Sequence, residues 1–402
     1  MKLNHNTLLQ NPDLGYYEIG GVKYWNKASA LLEGTKLGFK YSDLHWNFND
    51  DFFDKFNWTE EPAGSITEYY QTRARALREK YDYIILNCSG GADSTTMLYS
   101  FLQQGLFVDE IMMRHADVGT KKYQGQLNLE ASNEHSEYEY AGIPLLQWVN
   151  KVSPKTKITV HDFSLDIINQ DLTWDENFIY WCGDYVTPGC IVRYTHASMK
   201  DSLSMFDKGR SVGILFGTDK PRVYAHDNNL YLFFMDRAVH SATPATVTNG
   251  YDNINVELFY WAPESANMVA KQCHLIKNWF NHPMNNRLKY MLSQDWLANP
   301  VNRTVYESVI KGVIYEDYDL STFQVNKPSR TVLQEWDYWI NDHTDTPGYK
   351  TFMRGMIHLY QNIDKSFLRH NDKDTLSLNK KTALTWEYKP CPSNSYLIGQ
   401  LT

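Results

Sequence analysis

Four strand-like runs recur between residues 81 and 217, and each of the first three is followed by a turn and a stretch of helical spacing. Tyr83–Leu86 is a short, wholly apolar run, the mark of a strand buried on both faces. Val108–Met113, Lys157–Phe163 and Ser211–Phe216 read as the next three strands. Between them lie a helix over Ser94–Gln104, stopped by Gly105, and a mostly helical stretch, Leu127–Val149, broken near Gly142-Ile143-Pro144. Another helix opens at Thr187-Pro188 and runs toward Phe206, with Thr187 as cap and Pro188 at the first helical position. Strand and helix in alternation predict a parallel sheet with helices on both faces. A hairpin follows, Arg222–His226 and Leu230–Met235 around Asp227-Asn228-Asn229.

The flanks differ in pattern. In the first 80 residues Tyr16–Trp25 reads as a hairpin turning at Gly20-Gly21, and Asn26–Gly34 as a helix closed off by Gly38. Ser65–Lys80 has helical character: Ser65 is the N-cap, Glu68 follows three residues on, and Arg73, Arg75, Arg78 and Lys80 suit the dipole at its C-terminal end. Trp46–Trp58, rich in Phe, Asp and Asn, shows no assignable period. Beyond Ala262 helical patterns dominate, over Glu264–Phe280, Arg287–Leu297, Ser329–Asn341 and Tyr349–Leu368, before a non-helical tail, Trp386–Thr402. The expected organisation is an N-terminal α+β region (1–80), a central α/β domain (81–235) and a mainly helical substrate or partner region (236–402).

Composition narrows the class. Of 402 residues 43% are hydrophobic and 21% charged, which suits a large folded core and excludes a disordered or fibrous chain. There are 39 basic and 47 acidic side chains, a formal charge of −8. That balance argues against a protein whose main task is coating nucleic acid, while leaving room for a local basic groove. The apolar stretches Tyr231–Met235 and Leu258–Ala262 are too short to span a bilayer, so no membrane partner is expected. No apolar segment follows Met1-Lys2-Leu3-Asn4-His5-Asn6, and Cys88, Cys182, Cys190, Cys273 and Cys391 form a sparse, odd set. Both features suit a reducing, cytoplasmic setting.

The chemistry concentrates in Leu86-Asn87-Cys88-Ser89-Gly90-Gly91-Ala92-Asp93-Ser94-Thr95, where an apolar strand hands over to a helix. In a parallel sheet this is the carboxyl edge, where ligands bind. Gly90 and Gly91 let the backbone turn sharply and approach a ligand, so several N–H groups can face one anion at the helix's positive end. Ser89, Ser94 and Thr95 add hydroxyl donors. Asp93 would repel a phosphate unless a cation lay between, which suits a Mg²⁺ partner. No Gly-Lys-Ser/Thr follows at the Walker spacing.

Ser89-Gly90-Gly91-Ala92-Asp93-Ser94 resembles the SGGxDS signature of the PP-loop ATP pyrophosphatases, a superfamily that includes asparagine, GMP and argininosuccinate synthetases, tRNA thiolases and PAPS reductase. The resemblance implies an adenine nucleotide alpha hydrolase-like, Rossmann-like fold and ATP whose β,γ-phosphates sit in this loop. It further implies cleavage to AMP and pyrophosphate as a substrate oxygen is adenylated. Other segments are similar to the PAPS-reductase-like branch. His115-Ala116-Asp117-Val118-Gly119-Thr120 resembles its DTG segment near adenine and ribose, with Val118 in place of the usual Thr. Gly189-Cys190-Ile191-Val192-Arg193 resembles its cysteine-containing helix segment, and Gly217-Thr218-Asp219-Lys220-Pro221-Arg222 its Gly-Ile-Arg loop. Glu257–Pro263 resembles the segment before its closing helices. These motifs span roughly residues 81–275. Arg73–Tyr83, Asp219–Arg222 and Phe323–Lys327 are also similar to tailed-bacteriophage proteins that carry this loop, which implies a host-cytoplasmic setting.

On this resemblance Leu86, Asn87, Ser89, Gly90, Gly91, Asp93, Ser94, Thr95, His115, Asp117, Arg193 and Gly217 bind the nucleotide. Asp93 holds Mg²⁺, and Lys220 and Arg222 stabilise the leaving pyrophosphate. The expected partners are ATP and an acceptor that the motifs do not name; a homo-oligomer is compatible with them. Departures from the family matter. Lys389-Pro390-Cys391-Pro392 lacks the ECGLH-like context of a reductase cysteine, no CxxC pair exists, and no cysteine before Cys88 could serve a glutaminase. Ligation or nucleotide or base modification is therefore favoured. Sulfur transfer through Cys190 and Cys391 is one alternative, and a non-catalytic nucleotide-binding interaction protein is another.

Overall fold

The structure is a computed structural model that describes residues 12–123, 138–162, 164–165, 185–186, 209–239, 242, 253–316, 339, 341–368 and 386–402. The helix expected from Thr187-Pro188, most of Ser329–Asn341 and the first part of Leu127–Val149 lie outside these residues.

The chain opens with a small antiparallel sheet. β1 (Tyr16–Ile19) and β2 (Val22–Tyr24) form the expected hairpin, with both turn glycines at positive φ, and β1 also pairs with β3 (His45–Asn47). Between them α1 (Lys27–Lys36) starts where the Asn26 side chain accepts from Ser29 N at 3.0 Å. The unassigned stretch Trp46–Trp58 supplies Phe48, Phe53 and Trp58 to an aromatic cluster with Phe234, Trp261 and Tyr396. Phe53 and Phe234 rings stack at 4.8 Å. Its period was illegible because these rings answer to partners from distant parts of the chain.

α2 (Ile66–Lys80) carries the expected capping box: Glu68 N donates to Ser65 Oγ at 3.2 Å, and Ser65 N donates to Glu68 Oε2 at 2.7 Å. Arg73 does not serve the helix end as expected. It turns inward, 8% exposed, and donates to Glu257 Oε2 at 3.0 Å and to the Leu258 carbonyl at 3.2 Å.

The central sheet grows from β4 (Tyr83–Asn87), which leads through the loop to α3 (Ala92–Leu102). β5 (Glu110–His115), α4 (Asp117–Tyr123), α5 (Ile143–Val152) and β6 (Lys157–Asp162) follow. The break expected near Pro144 is instead a π-helical turn, Tyr138–Gly142, running directly into α5. Pro144 is accommodated because the first turn of a helix has no use for its missing N–H. β7 (Tyr185–Val186) pairs away from the sheet with β12 (Trp386–Glu387). β8 (Val212–Phe216) returns to the far side of β4. A fifth strand, β11 (Ile254–Leu258), for which the sequence pattern gives no strand, extends the sheet beyond β8. All pairings are parallel, in the order β11-β8-β4-β5-β6, with helices packed against the sheet. β4 and β8 are buried almost throughout, as continuous apolar runs require.

β9 (Arg222–His226) and β10 (Asn229–Met235) form the expected hairpin, with Asp227 and Asn228 at positive φ in its turn. The C-terminal β13 (Pro392–Gln400) pairs along β10, so the non-helical tail completes a three-stranded sheet. The helical part comprises α6 (Ala266–Asn281), α7 (Pro300–Ile314) and α8 (Pro347–Asn362). The single helix expected over Arg287–Leu297 is split. Ser293 Oγ accepts from Trp296 N, which caps a new helix (Gln294–Ala298) after a 3-10 segment ending at Leu292. α7 was not anticipated. No helix among the described residues is long and apolar enough to cross a membrane.

Candidate functional site

β5 and β6 extend the sheet on one side of β4, and β8 and β11 on the other. The strand order therefore reverses between β4 and β8, and the carboxyl ends of those two strands flank the crevice where such sheets bind ligands. Asn87 at the end of β4 lies in register with Phe216 at the end of β8, and Asn87 Nδ2 donates to the Leu215 carbonyl at 3.4 Å. Leu86 is fully buried and in register with both neighbouring strands, so its side chain belongs to the sheet interior.

The loop is tightly backed. Gly90 sits at φ +75°, and a Cβ there would lie 2.8 Å from the Ala141 carbonyl carbon and the Gly142 nitrogen. Only glycine allows both the left-handed turn and this approach to the π-helical turn. Gly91 precedes α3 as its N-cap. Ser94 and Thr95 are buried and shape the loop: Ser94 Oγ donates to the Gly91 carbonyl at 3.1 Å and accepts from Ser89 N at 3.3 Å, while Thr95 N donates to the Gly91 carbonyl at 3.0 Å. Ser89 is exposed and Asp93 half-buried at the helix start. Gly217 makes the opposite bank close, since a Cβ there would come within 3.0 Å of Ser94 Cα and 3.1 Å of the Asp93 carbonyl.

Asp93 is held from three directions. Tyr315 Oη donates to its Oδ1 at 2.6 Å, Lys220 Nζ lies 3.7 Å from its Oδ2, and Tyr260 Oη donates to its backbone carbonyl at 2.8 Å. Burial, then the Asp93 charge, push the Tyr315 hydroxyl far above its ordinary pKa, so it remains a donor. Lys220, 7% exposed, also faces Asp219 Oδ1 at 3.1 Å and Glu307 Oε2 at 3.6 Å. Burial alone would lower the lysine, but these carboxylates raise it well above the usual range. Arg222 Nη2 donates to Asp219 Oδ2 at 2.8 Å. Burial would raise Asp219, and the adjoining Lys220 and Arg222 charges hold it well below the usual carboxylate range.

Asp93, Asp219 and Glu307 thus face Lys220, Arg222 and Lys311, three charges of each sign. Burial and the neighbouring Lys220 push Lys311 below its usual value. The two basic residues expected to meet phosphate already serve carboxylates, so a polyphosphate entering here needs additional positive charge. Asp93 offers one half-buried carboxylate to a divalent cation. Among the described residues no group of three or more His, Cys, Asp or Glu side chains could hold a metal ion alone. Such a donor set fits Mg²⁺ bound jointly by one carboxylate, waters and substrate phosphates.

On the other side of the loop His115 is buried at the end of β5, stacked on Tyr138 with ring centroids 4.2 Å apart and planes 13° apart. Its Nε2 lies 3.7 Å from Asp117 Oδ1. Asp117 opens α4 and accepts from Lys121 Nζ at 2.7 Å. Tyr138 begins the π-helical turn that backs Gly90, so the expected adenosine-side residues adjoin the loop. Arg193 and Cys190 lie outside the described residues. Cys88 is buried behind the loop, and burial pushes its thiol up. Cys391 is 3% exposed, with its Sγ donating to the Leu44 carbonyl at 3.7 Å, which leaves it poorly suited to carry sulfur to a substrate.

Sequence reasoning missed Glu307, Lys311 and Tyr315. Their spacing of four residues along one helix face was the available signal. No family model matches the chain, and no curated protein matches it in sequence.

Proposed function

We propose that the protein is a PP-loop ATP pyrophosphatase that adenylates an acceptor oxygen, releasing pyrophosphate. The observation that carries this reading is a Gly90–Gly91 loop at the reversal of strand order, with Asp93 in the first turn of the following helix and Lys220 Nζ 3.7 Å from its carboxylate. Loop N–H groups and the N-terminus of α3 would receive the β,γ-phosphates. Mg²⁺, when bound with ATP, would neutralise phosphate charge, and Asp93 is the residue that would hold it. Lys220 and Arg222 would turn part of their charge from Asp219 toward the departing pyrophosphate. His115 and Asp117 would border the adenosine. The lack of an ECGLH-like context at Cys391 and of any CxxC pair favours ligation or nucleotide or base modification over reduction.

The test follows α-³²P-labelled ATP with Mg²⁺, comparing the native protein with Asp93→Ala. AMP and pyrophosphate formed by the native protein alone is the expected result. ADP formation that depends on Asp93 would overturn the adenylating mechanism. Tight ATP binding without cleavage across a broad acceptor screen would favour the non-catalytic binding protein.

A further inference from the structure

A second concavity adjoins the loop, a cavity of about 400 Å³ between β9, β10, β13, the Gln294–Ala298 helix and α7. Its size is in the range that holds small organic ligands. Phe233, Met235, Leu297, Ile310 and Pro392 give it a largely apolar wall.

The cations of its lining are engaged within the protein. Lys220 Nζ lies 3.1 Å from Asp219 Oδ1, and Arg222 Nη2 donates to Asp219 Oδ2 at 2.8 Å. Arg303 Nε donates to the Leu297 carbonyl at 3.3 Å, and Arg237 has a partner of its own. A ligand carboxylate would find these groups occupied and the Glu307 charge against it. A ligand ammonium would meet the like charges of Lys220, Arg222, Arg237 and Arg303. The lining therefore suits an uncharged molecule.

Glu307 is the one carboxylate among the lining residues, and its side chain is 29% exposed. Lys220 Nζ answers its charge from 3.6 Å, which is longer than a hydrogen bond. Among the described residues nothing donates a hydrogen bond to it. Burial would raise its pKa, and the Lys220 and Arg222 charges hold it below its usual value, so it is ionised at neutral pH. An ionised carboxylate only accepts, with room for about four hydrogen bonds. Beside an apolar wall such an acceptor calls for a donor.

We propose that this cavity binds a compact, uncharged, mainly apolar molecule through a hydroxyl group that donates to Glu307. The wall takes the apolar body, and the hydroxyl is drawn to the end where Glu307 meets Lys220. An amide donor would bring a carbonyl oxygen as well, which the apolar wall leaves unanswered. Lys220 belongs to both places: it lines the cavity and stands 3.7 Å from Asp93. The bound hydroxyl therefore lies one side chain away from the glycine loop. On the adenylating reading this molecule is the acceptor; that assignment rests on the reading, and the binding site itself does not.

The test titrates the full-length protein calorimetrically, without nucleotide, with 2-naphthalenemethanol, its methyl ether and 2-naphthoate. The alcohol is expected to bind at least about tenfold more tightly than the ether, the margin of a hydrogen bond to a charged group. It should also bind more tightly than the naphthoate, whose charge faces Glu307. Glu307→Gln keeps the shape and removes the charge, so the preference for alcohol over ether should shrink severalfold and the penalty on the naphthoate should fall. Ala298→Trp or Ser395→Trp, at exposed positions on the rim, should block the cavity and abolish alcohol binding while Mg-ATP binding is unchanged. The proposal is overturned by any of four results: no binding of the alcohol, equal affinity for alcohol and ether, tighter binding of the naphthoate, or alcohol binding undiminished in both blocking variants. The two readings fail separately. Alcohol selectivity without any AMP formation supports the hydroxyl site and counts against adenylation; AMP formation without alcohol selectivity does the reverse.

Discussion

Tyr315 donates its hydroxyl proton to Asp93 at 2.6 Å, across 222 residues of chain, and so ties the end of α7 to the first turn of the helix behind the glycine loop. The contact orients one carboxylate oxygen and leaves the other toward Lys220. Tyr315→Phe should lower stability by about 1.5–3 kcal/mol, the range for a hydrogen bond to a charged group. It should also raise the Mg²⁺ concentration needed for ATP binding, because Asp93 loses its fixed orientation. Asp93→Asn should abolish the Mg²⁺ dependence while leaving the melting temperature closer to native. Calorimetric nucleotide titrations at several Mg²⁺ concentrations separate the two effects.

Gly90 and Gly105 both adopt positive φ, at +75° and +71°. A Cβ on Gly105 meets nothing within 4 Å, whereas one on Gly90 runs into backbone at 2.8 Å. Gly105→Ala should therefore cost only the left-handed penalty, about 1–2 kcal/mol. Gly90→Ala should cost more and displace the π-helical turn. Urea unfolding of the two variants measures the difference, and equal midpoints would remove the close-packed loop from the account.

Glu257 accepts from Arg73 at 3.0 Å and Lys80 at 2.6 Å, and also from the Tyr81 hydroxyl. Glu257→Leu leaves the buried Arg73 uncompensated and should destabilise by about 3–5 kcal/mol. Arg73→Met combined with Glu257→Leu should recover much of that loss, since two apolar chains carry no desolvation penalty. A double-mutant cycle in guanidinium chloride reads the coupling.

Asp219 gives the site an acid limb. Its folded pKa lies below the unfolded value, so its pairing stabilises the protein above the unfolded pKa of about 3.9 and loses that contribution as pH falls toward the folded value. Stability should drop steeply below about pH 4. Asp219→Asn should be less stable than the native protein at pH 7 and should show a shallower decline on acidification. Thermal melts from pH 7 to pH 3 test both slopes.

Local signals read well where they were local. The capping box of Ser65 and Glu68, the Gly20-Gly21 and Asp227-Asn228 turns, and the buried runs of β4 and β8 depend on neighbours a few residues away. Features set by distant partners were not legible. Ile254–Leu258 becomes a strand because β8 offers an open edge, and Trp46–Trp58 folds around rings from β10 and β13. Arg73 carried the composition of a helix end, yet Glu257, 184 residues away, drew it inward.

By itself the sequence determined the strand–loop–helix unit at Ser89–Ser94, because glycine conformation, hydroxyl donors and a helix start are properties of consecutive residues. Only the tertiary structure decided what that unit faces. The order of the strands set β8 beside β4, which brought Gly217 against the first turn of α3 and Lys220 beside Asp93. The packing of α7 then brought Glu307 beside Lys220, and the residue after the helix, Tyr315, onto Asp93. Electrostatic pairing across such sequence distances is a property of the folded arrangement, and no local pattern encodes it.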